Sequence, residues 1–470
     1  MSRDVTPLSS ICLVEQLADF VFNLTLDNIP SEVLDEASRC VLDTVGVILS
    51  GQSTDVAQKI REYAAKTYQS GHSRLLGFDQ SLIPTGAALV NATAGHSQDF
   101  DDTSYTGIMH RSVVVLPAAL AIAEQYEFDG AALLVAFIAG VEIEYAIAEF
   151  CTTHNYFEGW WTTGLYGSLG AAATSAKLLG LDREGIAHSI ALGLSYTQGV
   201  KAVFGTDAKP LGCGMAASRG VEAALLAANG MTGPLDIFEN GNGFLKLYNQ
   251  GQQQSQFIGE WFERWRLLNP GILFKSYPVC SAAQAGAEAV LNLINTNNLG
   301  PDDVISVLVD VPPLVRISLV YDNPQSLREA QFSMPFAVGC MLAFEQLKLE
   351  QLQAPTLSDG RLQTAMQKVT TRVPDWLASD ASVLERCPEG AGVTIATRQG
   401  QLYEEFLDRP TGMPGNPVST DRLISKFTEC AAFAGMELNI ALELAANLLQ
   451  IRNCRDVSRL TKSCFVQTRH

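Results

Sequence analysis

The sequence is poor in positive charge: 32 Lys and Arg residues stand against 50 Asp and Glu in 470 residues, for a formal net charge of −18. A protein whose main partner is nucleic acid or an anionic membrane needs an excess of cations. The composition therefore argues against both partners. If the substrate is an acid, the few cations near its site must be placed there specifically, because the overall field repels it.

Metal-binding and targeting signals are also missing. The ten cysteines form no CxxC pair and no Cys/His group at zinc spacing, which predicts buried, reduced thiols. Residues 1–4 do not begin a basic segment followed by an apolar run. The most apolar stretch, Gly130 to Val141, is too short to cross a bilayer and runs into Glu142 and Glu144. We therefore expect a cytoplasmic protein.

Helical periodicity dominates the first half of the chain. Hydrophobic residues make up 47% of the sequence and charged residues 17%, enough to bury a large core. The predicted helices include Ser31 to Ser50, Ala118 to Tyr126, Ala131 to Phe150, Gly167 to Leu179 and Ala216 to Asn229. The last two contain alanine runs, which are typical of helices buried on every side.

The pattern changes at Asn269-Pro270-Gly271. Beyond it, apolar residues alternate from Val304 to Val311, and Gly392 to Leu407 has the pattern of strand, turn and strand, while Ser281 to Ile294 and Phe332 to Leu347 have helical patterns. The predicted fold class is mainly α. A large all-α helical domain covers 1–270, a smaller α+β lid domain covers 271–404, and a C-terminal helical segment at 405–470 returns to the first domain.

Polar residues with catalytic potential cluster between Gly95 and Ser112. The cluster contains His96, Asp99, Asp101, Asp102, Thr103, His110 and Arg111. Helix capping would explain one or two of these residues. It does not require His110, nor so many polar groups in so apolar a chain, so the cluster indicates a functional site.

Two kinds of chemistry could use this cluster. Asp-rich segments bind magnesium in prenyl-diphosphate enzymes, but the spacing here is DxDD rather than DDxxD, and a second metal-binding segment is not apparent. The alternative is direct acid–base catalysis, with His110 as the proton-transferring group and Asp and Thr side chains orienting it or the substrate.

Candidate cations and donors lie further along the chain. Lys209 precedes a helix predicted from about Met215, and Lys275 follows the Pro-Gly break. A lysine beside a helix N-terminus suits anion binding, although a solvated lysine is the commoner case. Tyr321 is either a hydrogen-bond donor or a packing residue. The glycine-rich stretches do not follow a strand, which disfavours a dinucleotide site.

Four segments, in this order, resemble the MmgE/PrpD family, which includes 2-methylcitrate dehydratases, cis-aconitate decarboxylases and iminodisuccinate epimerases. They are GHSQDFDDT with the later His110, KPLGCGMAASRGVEAALLAANGMTGP, FKSYPVCSAAQAG and REAQFSMPFAVGCML. The resemblance implies the two-domain fold above, a homodimer, and chemistry that needs neither metal nor organic cofactor. The catalytic residues it implies are Asp99, Thr103, His110, Lys209, Lys275 and Tyr321.

By this resemblance, the protein would transfer a proton, or remove CO2 or water, beside a carboxylate. Lys209 and Lys275 would bind substrate carboxylates, with Lys275 arriving as the lid closes. The developing negative charge would be stabilised by cations and donors placed in advance. His110 would move the proton, while Asp99 and Thr103 would orient it or bind a substrate hydroxyl.

The chain departs from the family pattern at three places. Arg111 replaces the proline of the usual HPS, Trp161 stands where the decarboxylases have a pocket histidine, and the helix around Glu144 and Tyr145 lacks an arginine. We count Trp161 and Arg111 among the predicted substrate-binding residues. Losing two charged donors and gaining a bulky apolar side chain predicts an altered substrate, with fewer carboxylates or an apolar arm.

The leading functional prediction is a cofactor-independent lyase, a dehydratase or decarboxylase, acting on a di- or tricarboxylic acid of the citrate/aconitate type. The next alternative is an isomerase or epimerase using the same pocket. A magnesium-dependent prenyl-diphosphate enzyme and a non-catalytic family member are the alternatives from other classes.

Overall fold

The computed structural model describes residues 12–151, 153–253, 262–379 and 381–466. Helices dominate its first half. They are α1 (Leu13–Asn23), α2 (Ser31–Gly51), α3 (Asp55–Thr67), α4 (Pro84–His96), α5 (Ser112–Gln125), α6 (Gly130–Cys151), α7 (His154–Phe157), α8 (Thr162–Leu178), α9 (Arg183–Ser195), α10 (Ala208–Ala228) and α11 (Phe244–Tyr248). Two short antiparallel strands, β1 (Ser73–Arg74) and β2 (Ser81–Leu82), lie between α3 and α4.

Helix α10 lies at the centre of this helical core and packs against both α4 and α8. Small residues permit the close approach. A Cβ atom added at Gly214 of α10 would overlap the Thr93 hydroxyl and lie 2.5 Å from the carbonyl oxygen of Leu89, both on α4. The two helices run antiparallel, so the first turn of α10 lies beside the last turn of α4, where His96 meets Lys209.

Helix α6 corrects one expectation from the sequence. The apolar stretch does not stop at Glu142, because the helix continues for 22 residues to Cys151 and is long and apolar enough to cross a membrane. However, 89% of its most apolar window is buried inside the protein. Glu142 and Glu144 are also buried. A helix that is apolar all round and enclosed in this way is what the core of a large helical domain requires.

The second half contains a mixed sheet and further helices. The sheet has the order β4-β3-β5-β6, in which β3 and β4 are parallel and the other pairs are antiparallel. The strands are β3 (Val304–Asp310), β4 (Val369–Arg372), β5 (Ala391–Thr397) and β6 (Leu402–Leu407). The helices are α12 (Gln284–Asn297), α13 (Pro313–Ser318), α14 (Leu327–Ala330), α15 (Met334–Phe344), α16 (Ala354–Leu357), α17 (Gly360–Met366), α18 (Asp375–Ser379) and α19 (Ala381–Arg386).

One face of this sheet forms a separate hydrophobic core. Along β5, buried and half-buried residues alternate, and Val393 and Ile395 point to the buried face. They share a core with residues of α12 and α15, such as Val290 and Phe336. The period of two in the sequence is therefore the burial pattern of a sheet covered by helices on one side.

The last helices are α20 (Thr420–Phe433), α21 (Leu438–Leu449) and α22 (Val457–Lys462). Helices α20 and α21 pack against α2 and share the first hydrophobic core. One ion pair is buried in this contact, with Lys426 Nζ on α20 lying 2.7 Å from Asp43 Oδ1 on α2. The same ammonium group donates a hydrogen bond of 2.8 Å to the carbonyl oxygen of Phe100.

Several element boundaries differ from the predicted ones. Helix α5 begins at Ser112 and contains Pro117. Helix α10 begins at Ala208 rather than near Met215, so Lys209 and Pro210 lie in its first turn, where the missing N–H of proline costs no hydrogen bond. Phe332 lies outside α15, which runs only from Met334 to Phe344. The hairpin was predicted, but strand β4 was not.

Candidate active site

The polar cluster of the sequence lies in the segment that joins α4 to α5. His96 is the last residue of α4, and α5 begins directly after His110 and Arg111. Within this segment Asp99 has a φ of 49°, in the left-handed region that non-glycine residues rarely adopt. Such conformations cost free energy and concentrate at functional sites. The backbone is thus set so that Asp99 and Asp101 face different partners.

Asp99 joins the two predicted lysines. Lys209 Nζ lies 2.8 Å from Asp99 Oδ2, while Lys275 Nζ contacts Asp99 Oδ1 and donates to the Asp99 carbonyl oxygen at 2.7 Å. All three side chains are buried. Burial opposes ionisation of Asp99, but the two ammonium groups outweigh it and keep its pKa well below the ordinary range. The result is a buried group with two positive charges and one negative charge, which can attract an anion.

A second carboxylate, Asp101, lies between two histidines. His96 Nδ1 is 2.9 Å from Asp101 Oδ2, and His110 Nδ1 is 3.0 Å from the same oxygen. The imidazole rings of His96 and His110 meet edge to face at 4.6 Å between centroids. Burial disfavours the Asp101 carboxylate, but the two histidines reverse this effect and keep its pKa well below the usual value. Asp101, rather than the predicted Asp99 or Thr103, is therefore the residue that orients His110.

The hydrogen bonds assign the histidine tautomers. His110 Nδ1 faces two acceptors, Asp101 Oδ2 and the Asp102 carbonyl oxygen at 2.9 Å, so it carries a proton. Nε2 is then the nitrogen that can accept or release a proton. His96 Nδ1 likewise donates to Asp101, and its Nε2 lies 2.6 Å from Lys209 Nζ. Burial lowers the pKa of His96 to about 4, so His96 is neutral near pH 7 and accepts from the lysine.

The histidine–Asp101 group and the lysine–Asp99 group thus meet at one contact, the hydrogen bond between Lys209 and His96. From His110 the path runs through Asp101, His96 and Lys209 to Asp99, and Lys275 completes it. His96, Asp101 and His110 also place ligand atoms within 4.8 Å of one another, close enough to surround a metal ion. A cation there would have to displace both Nδ1 protons and lie near the Lys209 ammonium group. The observed contacts fit a hydrogen-bonded network better than a metal centre.

Aromatic side chains form one wall of the site. Lys209 Nζ lies 4.9 Å from the ring centroid of Phe332, 5.3 Å from that of Phe204 and 5.6 Å from that of Trp161. The Trp161 ring stacks on His96 with 5.8 Å between centroids. Tyr321 borders the site from the other side of this wall, because its hydroxyl donates to the Phe204 carbonyl oxygen at 2.9 Å. A nearly fully buried Trp161 excludes water from Lys209 and His96.

Two predicted site residues, Thr103 and Arg111, contact other groups of the protein. The Thr103 hydroxyl donates to the Met109 carbonyl oxygen at 3.1 Å, and the Thr103 backbone pairs with Leu273. Arg111 is fully buried, with its guanidinium 3.6 Å from the Tyr145 ring centroid and bonded to Ser104. Their roles toward a substrate stay predictions. As observed, Thr103 links the loop to the segment that carries Lys275, and Arg111 anchors the start of α5.

Both halves of the chain match known family models. The model of the MmgE/PrpD N-terminal domain matches residues 15–256, which is more than half of the sequence, and that of the MmgE/PrpD C-terminal domain matches residues 277–448. The chain belongs to the MmgE/PrpD family. The family assigned from four short segments is thereby confirmed, as is the mainly α fold with a smaller α+β part.

Several curated relatives are named cis-aconitate decarboxylase. They include cis-aconitate decarboxylase of Mus musculus, 26% identical over 471 residues, which covers 97% of this chain and 94% of the relative. The Homo sapiens enzyme of that name is 26% identical over 96% of this chain and 94% of the relative, and the one from Aspergillus terreus is 24% identical over 95% of each. The chain of this MmgE/PrpD protein is therefore that of an enzyme, a lyase.

The sequence predicted most of the residues of this site, but it assigned no role to His96 and Asp101. His96 and Asp101 were part of the quoted segment and received no role of their own. The available signal was their spacing: a histidine at a helix end, followed by an aspartate five residues later, exceeds what capping requires. Nothing in the sequence indicated that Asp101 would serve both histidines.

Proposed function

We propose that this enzyme is a decarboxylase of an unsaturated tricarboxylic acid of the aconitate type, and that it works without metal or organic cofactor. The main observation in support is the buried cluster in which Lys209 and Lys275 supply cations and Asp101 orients His110. The printed activity of the relatives, cis-aconitate decarboxylase, supports the choice of substrate. Dehydration of a citrate-type acid by the same groups is the nearest variant of this proposal.

The proposed step uses the residues in distinct roles. The bond between a substrate carbon and its carboxylate breaks, CO2 leaves, and the electron pair stays on the carbon and spreads into a neighbouring carboxylate. Lys209 and Lys275 stabilise that charge because their ammonium groups are already in place and shielded from water. Nε2 of protonated His110 delivers a proton to the carbon, and solvent restores it. Asp101 stabilises the protonated imidazole throughout.

Trp161 distinguishes this pocket from one with a second charged donor at that position. Its indole packs against His96 and Gly212, where a side chain on residue 212 would overlap it. The apolar ring favours a substrate that presents carbon, rather than a carboxylate, toward this wall. This supports a related acid of altered substitution as the physiological substrate.

Proton NMR of the purified protein in D2O tests the proposal directly. The panel is cis-aconitate, citrate, 2-methylcitrate and C4 dicarboxylates, each with and without EDTA. We expect loss of CO2 from cis-aconitate or a substituted analogue, with one deuterium in the product and no effect of EDTA. The inactive control is His110→Ala, which removes the proton-transferring nitrogen.

Each other outcome has a definite meaning. Deuterium exchange without CO2 loss would replace the decarboxylase by an isomerase or epimerase using the same pocket. Alkene formation from citrate or 2-methylcitrate would make it a dehydratase. Loss of activity on EDTA treatment would contradict metal independence. If none of the acids in the panel reacted, the proposed substrate class would be rejected.

We also propose a cytoplasmic homodimer. The support for association is a pair of exposed apolar side chains one turn apart on α21, where Leu438 and Leu442 are 58% and 44% exposed. Exposed apolar groups of this kind are typical of association surfaces. Light scattering after size-exclusion chromatography measures the mass, and a monomer at micromolar concentration would contradict the dimer.

A further inference from the structure

One apolar cavity takes no part in the proposed reaction step. It has a volume of 250 Å³ and lies where the segment between α4 and α5 meets the second half of the chain. Its apolar lining consists of Ile108, Phe157, Pro313, Leu314, Leu384 and Pro388. Tyr105 and Thr153 complete the described lining, in which no residue is charged. Because protein interiors are close-packed, an apolar space of this size needs an explanation.

A tight turn at residues 105–108 connects this cavity to the catalytic loop. Ser104 and Met109 pair as an antiparallel bridge, and the Ile108 amide donates to the Tyr105 carbonyl oxygen at 3.2 Å. Tyr105 and Ile108 line the cavity, while His110 follows directly after the base of the turn. Two residues of chain span at most about 7 Å between Cα atoms. One wall of the cavity therefore begins close to the proton-transferring histidine.

The backbone of this turn is held in an unfavourable conformation. Ile108 has a φ of 53°, in the left-handed region that β-branched residues avoid. At Gly107, which has a φ of 71°, an added Cβ atom would lie 2.6 Å from Cβ of Ala148 on α6. The Ile108 carbonyl oxygen accepts a hydrogen bond of 2.6 Å from the Thr162 hydroxyl. Strain of this kind concentrates at active sites and ligand clamps, and these contacts fix Ile108 as part of the cavity wall.

The size and lining of the cavity suit one part of a ligand. Complete small-molecule sites usually occupy about 300–1,000 Å³ and include polar groups that fix the orientation of the ligand. In another protein, a dry cavity of about 150 Å³ lined by Leu, Ile and Phe binds benzene. This cavity is larger, and its described lining is without charge. It therefore fits an apolar group such as a phenyl ring or a short alkyl chain.

The cavity extends from the surface to the interior. Phe157 lines it and is 54% exposed, whereas Leu314 lines it and is 7% exposed. Phe157 and Ile108 belong to the helical core, while Leu314 on α13 and Leu384 on α19 belong to the second half. An apolar group in this cavity would contact both halves of the chain and lose its contact with water, which favours binding.

We propose that this cavity binds an apolar arm of the substrate, an alkyl or aryl substituent on the polycarboxylic acid. The inference rests on the proposed function, because Lys209 and Lys275 bind the carboxylates of the same molecule. It deepens that function by naming the substrate class. The cavity selects acids that carry a hydrophobic substituent over acids that do not.

A pair of unreactive acids tests the site. Methylsuccinate and benzylsuccinate each have two carboxylates and differ by one phenyl ring. We expect benzylsuccinate to bind roughly 10- to 100-fold more tightly, because burial of a side chain the size of Phe corresponds to about that factor. Isothermal titration calorimetry measures both dissociation constants.

Two substitutions locate the phenyl ring. Leu314→Trp fills the cavity, so the ratio of the two affinities should fall to within about threefold of one. Phe157→Ala removes an exposed part of the wall and should lower that ratio by about three- to tenfold. Phe406→Ala is the matched control, since Phe406 on β6 is 40% exposed and lies outside the cavity lining. It should leave the ratio unchanged, and thermal unfolding shows whether each variant is folded.

The outcomes separate this inference from the proposed function. The apolar site would be overturned if the unaltered enzyme bound neither acid, or bound benzylsuccinate no more tightly than methylsuccinate. A preference for the phenyl ring that survives Leu314→Trp would also overturn it, because the ring would then lie elsewhere. CO2 release from cis-aconitate is measured separately. If the preference depends on Leu314 and Phe157 but no acid loses CO2, the apolar site stands and the decarboxylase is rejected. CO2 release without a phenyl preference would do the reverse.

Discussion

At the scale of single residues, the hydrogen bonds of Asp101 decide how the two histidines work. One carboxylate oxygen meets Nδ1 of both rings, which keeps Nε2 of His110 free for proton transfer and Nε2 of His96 free for Lys209. Asp101 itself contacts both rings, and in the proposed reaction its part is to position them. A buried carboxylate behind a catalytic histidine fixes both the tautomer and the ring orientation.

Asp101→Asn tests this arrangement. The amide oxygen of Asn can still meet both Nδ1–H donors, but an amide has no negative charge and so cannot stabilise a protonated His110. We expect kcat to fall about 100-fold or more, with KM changed little, because the lysines that bind carboxylates are untouched. Steady-state kinetics across pH measures the split between kcat and KM.

Asp310→Asn is the control for Asp101→Asn. Asp310 forms an ion pair of similar length with Arg372, at 2.8 Å, on the sheet of the second half. This change should leave kcat unaltered. If Asp101→Asn raised KM and left kcat unchanged, Asp101 would act on substrate binding instead.

The site was predictable in part at this scale. Residue type and context singled out His110, Lys209, Lys275 and the acidic cluster, because ionisable groups are scarce in so apolar a chain, while the family resemblance selected Asp99 within that cluster. Which aspartate contacts which histidine or lysine was not predictable from the sequence. Whether Asp99 or Asp101 reaches His110 depends on the path of the loop, including the left-handed backbone at Asp99, which no sequence pattern reveals.

At the scale of elements, the contact between α4 and α10 sets the distance from His96 to Lys209. Both residues lie at helix ends, and the helices can approach because residue 214 has no side chain. Gly214→Ala would push a methyl group into Thr93 and the backbone of Leu89. We expect a loss of about 1–3 kcal/mol in the free energy of unfolding and a lower kcat as the two helix ends separate.

Urea unfolding and kinetics together measure the effect of Gly214→Ala. Gly360→Ala is the control, since an added Cβ atom there meets nothing within 4 Å. It should leave both stability and kcat unchanged. If Gly214→Ala lowered stability but kept full kcat, the close helix contact would serve packing alone.

Elements differed in how well sequence patterns predicted them. Long helices such as α2 and α6 were found because an apolar stripe or an unbroken apolar run extends over many residues. The start of α10 was placed seven residues late, because Lys209-Pro210 looks like a break, although proline is well suited to a first helical turn. Strand β4 has only four residues and no buried face, so its sequence carried no periodic signal.

At the scale of the whole molecule, buried acids predict an unusual dependence of stability on pH. Burial raises the pKa of Asp102 to about 8 and those of Glu124, Glu142 and Glu389 to about 7. Between about pH 4 and pH 7 the folded protein therefore keeps protons that the unfolded chain releases. His96, whose pKa is lowered to about 4, acts in the opposite direction but is a single group.

The unfolding free energy should therefore fall as the pH rises through this window. Each pKa unit of an individual acid corresponds to about 1.4 kcal/mol. The net charge of −18 at pH 7 adds to the trend, because self-repulsion grows as acids ionise. We expect a higher urea midpoint near pH 5.5 than near pH 8. A higher midpoint at the alkaline pH would mean that these carboxyl groups are ionised in the fold.

The bond from Lys426 to the Phe100 carbonyl oxygen has a consequence for how the enzyme matures. The segment that carries Asp99 and Asp101 is supported by a residue more than 300 positions later in the chain. During synthesis the ribosome adds the entire mixed sheet before it reaches α20. We therefore expect the catalytic loop of a nascent chain to gain this support only when α20 emerges and docks.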